Sequence, residues 1–149
     1  MIVATAGHVD HGKTSVVKHL SGVDTDSLEE ERRRGLTINL GYAYLHANTD
    51  TRVGLIDVPG HSRFINTMIA GVSGIDLALI VVAADEGPMP QTMEHLEVLR
   101  LLGIGQYAIV ITHIDRVERP RIVEVTEVLQ SVMGMQWPVF EVNNIDGSG

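Results

Sequence analysis

The segment Gly7-His-Val-Asp-His-Gly12-Lys13-Thr14 follows an apolar run and precedes a pattern with helical spacing, and it matches Gly-x-x-x-x-Gly-Lys-Ser/Thr. Glycines at these positions let consecutive backbone N–H groups converge on phosphate oxygens, and the amino end of the following helix adds partial positive charge. Lys13 would place a charge at the β- and γ-phosphates, and Thr14 would give Mg²⁺ a hydroxyl ligand. The segment therefore predicts a loop that binds nucleotide phosphates.

An alternative use of the same loop is metal binding. His8, Asp10 and His11 carry imidazole and carboxylate groups, which suit Zn²⁺, Fe or Mn²⁺ in a hydrolase. The rest of the sequence supplies no further His, Asp or Glu cluster for the remaining ligands, and this reading leaves the glycines unexplained. His8 and Asp10 are therefore expected to shape the loop.

The segment Asp57-Val-Pro-Gly60 comes at the carboxyl end of another apolar run. With a phosphate loop, Asp57 can hold the Mg²⁺ shell and the Gly60 N–H can reach a terminal phosphate. His61 follows where a side chain could orient an attacking water, so it is the candidate catalytic residue. Thr37 lies where a charged segment, residues 22–35, joins the next strand. A second hydroxyl ligand there would make this segment a switch ordered by the γ-phosphate, whereas its composition alone indicates a solvated loop.

A third segment, Thr112-His-Ile-Asp115, ends the apolar run Tyr107–Thr112. A carboxylate in this place can accept hydrogen bonds from the N1–H and exocyclic amine of guanine, which adenine does not offer. Taken alone, Asp115 could equally cap the segment that follows it.

Composition limits the classes of protein that this chain can represent. It has 149 residues, 44% of them apolar, which suits one domain with a real core. Its 11 Lys and Arg against 19 Asp and Glu give a net charge of −8, which argues against broad electrostatic binding of nucleic acid. Apolar runs are too short to span a bilayer, and the absence of cysteine excludes thiolate chemistry.

Elements that position these segments alternate along the chain. Strands are predicted at Ile2–Ala6, Ile38–Leu45, Arg52–Asp57, Leu77–Ala84, Tyr107–Thr112 and Val139–Val142. Helical spacing follows Lys13, recurs over 65–72, and returns after Pro90 and Pro120, which fit first turns. Asn48-Thr49-Asp50 indicates a hairpin. We therefore predict an α/β fold of the P-loop NTPase type: a six-stranded, mostly parallel sheet with one antiparallel edge strand and helices on both faces.

Taken together, the phosphate loop, Arg34-Gly-Leu-Thr-Ile38, Asp57-Val-Pro-Gly-His61 and Thr112-x-x-Asp115 resemble the GTPase (G) domain of translation factors in order and spacing. Within that family the softer blocks resemble selenocysteine-specific elongation factors. They are Ala4-Thr-Ala-Gly-His-Val-Asp-His11, Leu36-Thr-Ile-Asn-Leu-Gly-Tyr-Ala43, Asn66-Thr-Met-Ile-Ala-Gly-Val-Ser-Gly-Ile-Asp76 and Ala83-Ala-Asp-Glu-Gly-Pro-Met-Pro-Gln-Thr92. Elongation factor Tu shares the first and last of these only in part.

The resemblance implies a GTPase switch that carries aminoacyl-tRNA, here selenocysteinyl-tRNA, to the ribosome. It implies Mg²⁺ held by Thr14, Thr37 and Asp57, and a monovalent cation near Asp10. It also implies that His61 positions the water and that an apolar pair, Val9 and Leu36, holds this histidine away from the water until activation. The residues it places against GTP or GDP are His8, Val9, Asp10, His11, Gly12, Lys13, Thr14, Ser15, Gly60, Thr112, His113, Asp115, Asn143 and Asn144. It also implies a cytoplasmic monomer without a membrane partner.

Two positions depart from the family pattern. His113 stands where the family has Lys, and Val142-Asn143-Asn144 replaces the usual Ser/Thr-Ala loop, leaving the Asn143 backbone N–H to meet the guanine oxygen. Residues 1–149 are expected to be a GTP-binding domain that ends before its last helix and before further domains of a longer factor. The alternatives are a G domain like that of elongation factor Tu, a nucleotide-binding switch that hydrolyses nothing measurable, and a P-loop kinase or ATPase.

Overall fold

The computed structural model of the chain describes residues 1–25, 39–46, 52–60, 69 and 74–149. Its strands are β1 (Ile2–Ala6), β2 (Gly41–His46), β3 (Arg52–Asp57), β4 (Leu77–Ala83), β5 (Tyr107–Thr112) and β6 (Val139–Glu141). Within the residues described, the helices are α1 (Lys13–Ser21), α2 (Pro90–Leu101) and α3 (Arg119–Met133), and a 3-10 turn spans Ile114–Arg116. None of the helices in these described residues is long and apolar enough to cross a membrane.

The strands form one six-stranded sheet in the order β2-β3-β1-β4-β5-β6. Four neighbouring pairs are parallel, and the pair β2–β3 at one edge is antiparallel. The predicted P-loop NTPase fold is therefore confirmed, including the antiparallel edge strand. The turn predicted at Asn48–Asp50 lies outside the described residues.

Two apolar layers hold the sheet between helices. On one face, α1 places Val16 and Val17 against side chains of β1, β3, β4 and β5. On the other face, α2 and α3 pack onto β1, β4 and β5 through buried leucines, isoleucines and valines, among them Leu96, Leu99 and Leu129. Each fully buried side chain of this kind contributes about 1.5–3 kcal/mol. This core fixes the strand ends from which the site is built.

The parallel strands bring several loops to one edge of the sheet. The loops after β1, β3, β4, β5 and β6 all leave from carboxyl ends, where α/β folds bind ligands. Because β2 runs the other way, its first residue, Gly41, pairs with Asp57 at this same edge. Asn39 and Leu40 lie before β2, which begins later than predicted, while β4 and β6 each end one residue earlier. The helix predicted over 65–72 falls on residues that are largely outside the described part.

Candidate functional site

The loop between β1 and α1 borders a cavity of about 440 Å³. Lys13 is the first residue of α1, so the cavity lies at the helix end whose N–H groups have no partners within the helix. Gly12 precedes it in the left-handed region, with φ of 83°, and a Cβ there would collide with the Asn144 amide. The loop path therefore requires glycine at this position.

Lys13 is a buried cation at the floor of this loop. Only 6% of the residue is exposed, and Nζ donates a hydrogen bond to the His8 carbonyl oxygen at 2.6 Å. Burial lowers the pKa of the Lys13 ammonium to about 8, against the opposing effect of the carboxylates of Asp57 and Asp10. A ligand phosphate would place a negative charge beside this buried ammonium and favour its charged form, as expected of an anion site.

Asp57 ends β3 and is fully buried, and two threonine hydroxyls donate to it. Thr5 Oγ1 donates to Oδ1 at 3.2 Å, and Thr25 Oγ1 donates to Oδ2 at 2.7 Å. The Thr5 hydroxyl also accepts the Val58 N–H at 3.1 Å, which fixes the chain just after Asp57. These bonds satisfy a carboxylate that would otherwise be expensive to bury.

The oxygen donors present fit Mg²⁺, the metal that the fold family implies. Mg²⁺ takes carboxylate and hydroxyl oxygens together with substrate phosphates. Thr14 lines the cavity, and Asp57 lies close enough for its charge to raise the pKa of the neighbouring Lys13 against the effect of burial. Thr37, the third predicted ligand, and His61, the predicted catalytic residue, lie outside the described residues, so their roles stay predictions.

Gly60 brings the segment after β3 against the phosphate loop. A Cβ at Gly60 would stand 2.6 Å from Lys13 Nζ and 2.7 Å from the Val9 nitrogen. No larger residue fits unless one of them shifts, so the backbone of Gly60 reaches the cavity next to Lys13.

The segment after β5 forms the far wall of the cavity. Thr112 Oγ1 is buried and donates to the His11 carbonyl oxygen at 2.8 Å, which ties this segment to the phosphate loop. His113, Asp115 and Arg116 line the cavity. A hydrogen bond between residues 101 positions apart therefore joins the end of β5, just before Asp115, to the phosphate loop.

The loop after β6 differs from expectation at Asn143. Its backbone N–H donates to the Ser148 carbonyl oxygen at 2.8 Å, and its side chain accepts the Ile145 N–H at 2.9 Å. These bonds close a tight turn, so the Asn143 N–H is directed within the loop rather than at the cavity. Asn144 and Ile145 line the cavity instead.

His11, within the phosphate loop, is a buried histidine whose ring is kept neutral. His11 is fully buried, with Nε2 3.4 Å from Glu86 Oε2 and its ring centroid 5.0 Å from that of His8. Burial and then the charge of His8 lower the pKa of His11 to about 4, although Glu86 opposes this. Among the described residues, no three His, Asp or Glu side chains are arranged to hold a metal ion. The hydrolase alternative therefore gains no support.

The cavity thus collects most of the predicted nucleotide-binding residues that the structure describes. They are Val9, Asp10, Gly12, Lys13, Thr14, Ser15, Gly60, His113, Asp115 and Asn144. His8, His11, Thr112 and Asn143 support the surrounding loops without lining the cavity. The sequence interpretation missed four cavity residues, Lys18, Asp24, Arg116 and Ile145.

It also missed the residues that hold the loop from behind. The Gly7 N–H donates to Nδ1 of buried His95 at 3.0 Å, and the Val9 N–H donates to Gln91 Oε1 at 3.2 Å. Both acceptors lie on α2, and Gln91 also belongs to the last of the blocks that carry the resemblance. A buried histidine on the apolar face of a helix was the available signal for His95.

Comparison with known proteins gives a consistent picture. The family model of the elongation factor Tu GTP binding domain matches residues 1–148. The selenocysteine-specific elongation factor of Desulfomicrobium baculatum is 47% identical over all of this chain and 24% of its own length. A crystal structure of a bacterial selenocysteine-specific elongation factor EF-Sec superposes on the whole chain with a TM-score of 0.92 and 42% identity, over 26% of that chain.

A second solved structure, translation elongation factor SelB from Methanococcus maripaludis in complex with the GTP analogue GppNHp, has a TM-score of 0.84 and 29% identity. It too matches the whole of this chain, over 31% of its own length. The chain therefore spans about a quarter to a third of these relatives.

Proposed function

The chain belongs to the family of the elongation factor Tu GTP-binding domain, and on that premise we propose that its cavity binds GTP and GDP with Mg²⁺ and hydrolyses GTP. It is a translational GTPase domain, and its predicted resemblance to selenocysteine-specific elongation factors is confirmed. The observation that carries the site assignment is the common position of Lys13, Gly60 and Asp115. These residues come from three separate segments of the chain, following β1, β3 and β5, and line one cavity.

The proposed reaction is attack of water on the γ-phosphate, in which positioning and electrostatics supply most of the catalysis. Lys13 and the first turn of α1 hold the β- and γ-phosphates, and the Gly60 N–H meets the γ-phosphate. Thr14, Thr37 and Asp57 hold Mg²⁺, which supplies neutralising charge at the phosphates when bound. His61 orients the water, and Val9 and Leu36 hold the histidine away from that water before activation. A monovalent cation beside Asp10 completes the proposed site.

We propose that this domain works as part of a longer factor that delivers selenocysteinyl-tRNA to the ribosome, where GTP hydrolysis is triggered. The support is that the matched relatives are selenocysteine-specific elongation factors, of which this chain spans about a quarter. The charge of −8 suits a domain that does not itself grip RNA through broad electrostatics. We propose a monomer that works in the cytoplasm, where ribosomes are.

Calorimetry tests the ligand. GTP and GDP should bind in the presence of Mg²⁺, and ATP should not bind comparably. The reason is that guanine has the N1–H and exocyclic amine that donate to Asp115, and adenine does not offer this pair. Lys13→Ala should weaken GDP binding about 100-fold, the value of a charged hydrogen bond to phosphate. Arg52→Ala is the matched control, since it also removes one cation, but from an exposed residue at the first position of β3, at the end of the strand away from the cavity. Equal affinities for ATP and GTP contradict guanine specificity.

Hydrolysis is tested separately at His61. His61→Ala should leave GDP affinity within about two-fold and reduce ribosome-stimulated hydrolysis about 100-fold or more, the usual effect of a group that positions or deprotonates water. Unchanged stimulated turnover would remove His61 from this role. If the wild-type protein binds GTP yet hydrolyses none with or without ribosomes, a switch without catalysis is the correct function.

A further inference from the structure

His113 occupies the base-recognition position at which the family sequence has lysine. It precedes the 3-10 turn Ile114–Arg116 in the left-handed region, with φ of 54°, and it lines the cavity. Only 14% of its side chain is exposed, so the ring is held within the wall. A lysine would reach past the base, whereas an imidazole is a short planar group that needs support to keep one orientation.

Asp85, in the loop after β4, supplies that support. Its Oδ1 lies 3.2 Å from His113 Nδ1, and its Oδ2 accepts a hydrogen bond from Arg116 Nη1 at 3.1 Å. Partial burial would raise the pKa of the Asp85 carboxyl, but the hydrogen bonds from Arg116 and then His113 outweigh it and lower the pKa. Asp85 therefore accepts a hydrogen bond from both neighbours, so the Nδ1 of His113 carries a proton.

The two groups held by Asp85 are suited to a base. An imidazole ring and a guanidinium group are both planar, and both stack on nucleic-acid bases in protein sites. They flank Ile114 and Asp115 in the chain and line the cavity beside the carboxylate expected to read guanine. The arrangement thus replaces the stem of a lysine with two planar groups fixed by one anion.

Building on the proposed nucleotide site, we propose that Asp85 is a positioning residue for the purine base, orienting His113 and Arg116 as a stacking wall. The acid acts through these side chains and not by touching the nucleotide. In this way the site keeps affinity for the base without the family's lysine.

Substitution of Asp85 gives the first test. Asp85→Leu removes the acceptor and should weaken GDP binding about ten-fold, within the range of one base-stacking contact. Asp85→Asn keeps an acceptor oxygen for His113 Nδ1–H and should stay within about three-fold of wild type. Glu127→Leu is the control, because this exposed carboxylate lies on α3 beside a separate cavity. Thermal unfolding of each variant shows whether it is folded.

A double-mutant cycle and a spectrum separate positioning from a merely structural ion pair. In a His113→Ala background, Asp85→Leu should cause at most a two- to three-fold further loss, because the main group it orients is gone. The ¹⁵N spectrum of the His113 ring, recorded on the protein without nucleotide, should show the Nδ1–H tautomer in wild type and in Asp85→Asn. In Asp85→Leu it should shift toward the Nε2–H tautomer.

The outcomes are distinct. Wild-type protein that binds no GDP contradicts the proposed function, and this proposal falls with it. If wild type binds GDP but Asp85→Leu binds it equally well, the proposal alone is overturned. It is also overturned if the losses from Asp85→Leu and His113→Ala multiply, or if the ring tautomer is the same in all variants.

Discussion

Lys13 and Asp57 are opposite charges buried within one small region. Each is expensive to remove from water, and the structure offsets the cost with the His8 carbonyl for the first and two hydroxyls for the second. Such groups are kept where a ligand needs a charge already in place. A bound nucleotide with Mg²⁺ would add charges of both signs here, so ligand binding should also stabilise the fold.

At Asp115 the predicted contact with the base can be tested by exchanging the base as well as the residue. Asp115→Asn replaces one acceptor oxygen with a donor, so GDP should bind about 100-fold more weakly, because a charged hydrogen bond is lost and an amine is left unpaired. Xanthosine diphosphate has an oxygen in place of that amine and should bind the variant better than wild type. The measurement is competition against a fluorescent nucleotide.

The control for this exchange is Asp146→Asn, at an exposed carboxylate that accepts from Ser148 in the loop after β6. It should preserve the preference for GDP. An Asp115→Asn protein with undiminished preference for GDP would show that Asp115 does not read the base.

At the scale of elements, local patterns predicted what depends on local sequence. The bounds of β1, β3 and β5 agree with the predictions, and all three are interior strands of the sheet that are rich in apolar residues. The phosphate loop was predictable because its glycines and Lys13 lie within one short stretch of the chain, Gly7 to Lys13. Contacts between distant elements were not, since no local pattern announces that Thr25 will meet Asp57, 32 residues away, or that His95 will meet Gly7.

Thr25 lies within the predicted switch segment and Gly41 lies after it, and the two residues meet at the end of β3. Gly41 pairs with Asp57, and a Cβ on it would stand 2.5 Å from Thr25 Cβ. Thr25→Val deletes the hydroxyl that orients Asp57 Oδ2, so the Mg²⁺ concentration needed for half-maximal GDP retention should rise about ten-fold, as for other lost partners of metal ligands. Release of a fluorescent GDP analogue at varied Mg²⁺ measures this.

Two variants bracket that result. Thr25→Ser keeps the hydroxyl and should restore the wild-type Mg²⁺ dependence. Thr126→Val removes a hydroxyl that bonds only its own helix, to the Ile122 carbonyl oxygen at 2.9 Å, and should have no effect on it. Equal Mg²⁺ dependence in Thr25→Val and wild type would mean that the hydroxyl does not orient the carboxylate.

Across the whole molecule, the phosphate loop is held between the nucleotide cavity on one side and α2 on the other. Gln91 and His95 accept two of its backbone N–H groups, so the loop is braced by a helix more than 80 residues further along the chain. His95 can accept only while Nδ1 is unprotonated. The loop therefore depends on a neutral histidine in the core.

This dependence should make the stability of the folded protein sensitive to acid. Burial, followed by the charges of Lys13 and His8, lowers the pKa of His95 from 6.5 to about 4, and burial lowers that of His11 similarly. Between pH 6.5 and pH 4, His95 and His11 therefore bind protons in the unfolded chain but not in the folded protein. The contribution of these neutral histidines to the free energy of unfolding should have its full value above pH 6.5. It should fall as the pH is lowered toward 4, by up to about 1.4 kcal/mol per pH unit for each histidine.

His95→Asn isolates one histidine, because the asparagine oxygen can still accept the Gly7 N–H but binds no proton in this range. Urea unfolding between pH 4.5 and 7.5 should show a slope smaller by up to about 1.4 kcal/mol per pH unit than in wild type. His19→Asn is the matched control, because this ring is exposed on α1 and its loss should leave the slope near that of wild type. If His95→Asn and His19→Asn titrate alike, the brace between α2 and the phosphate loop does not depend on a neutral His95.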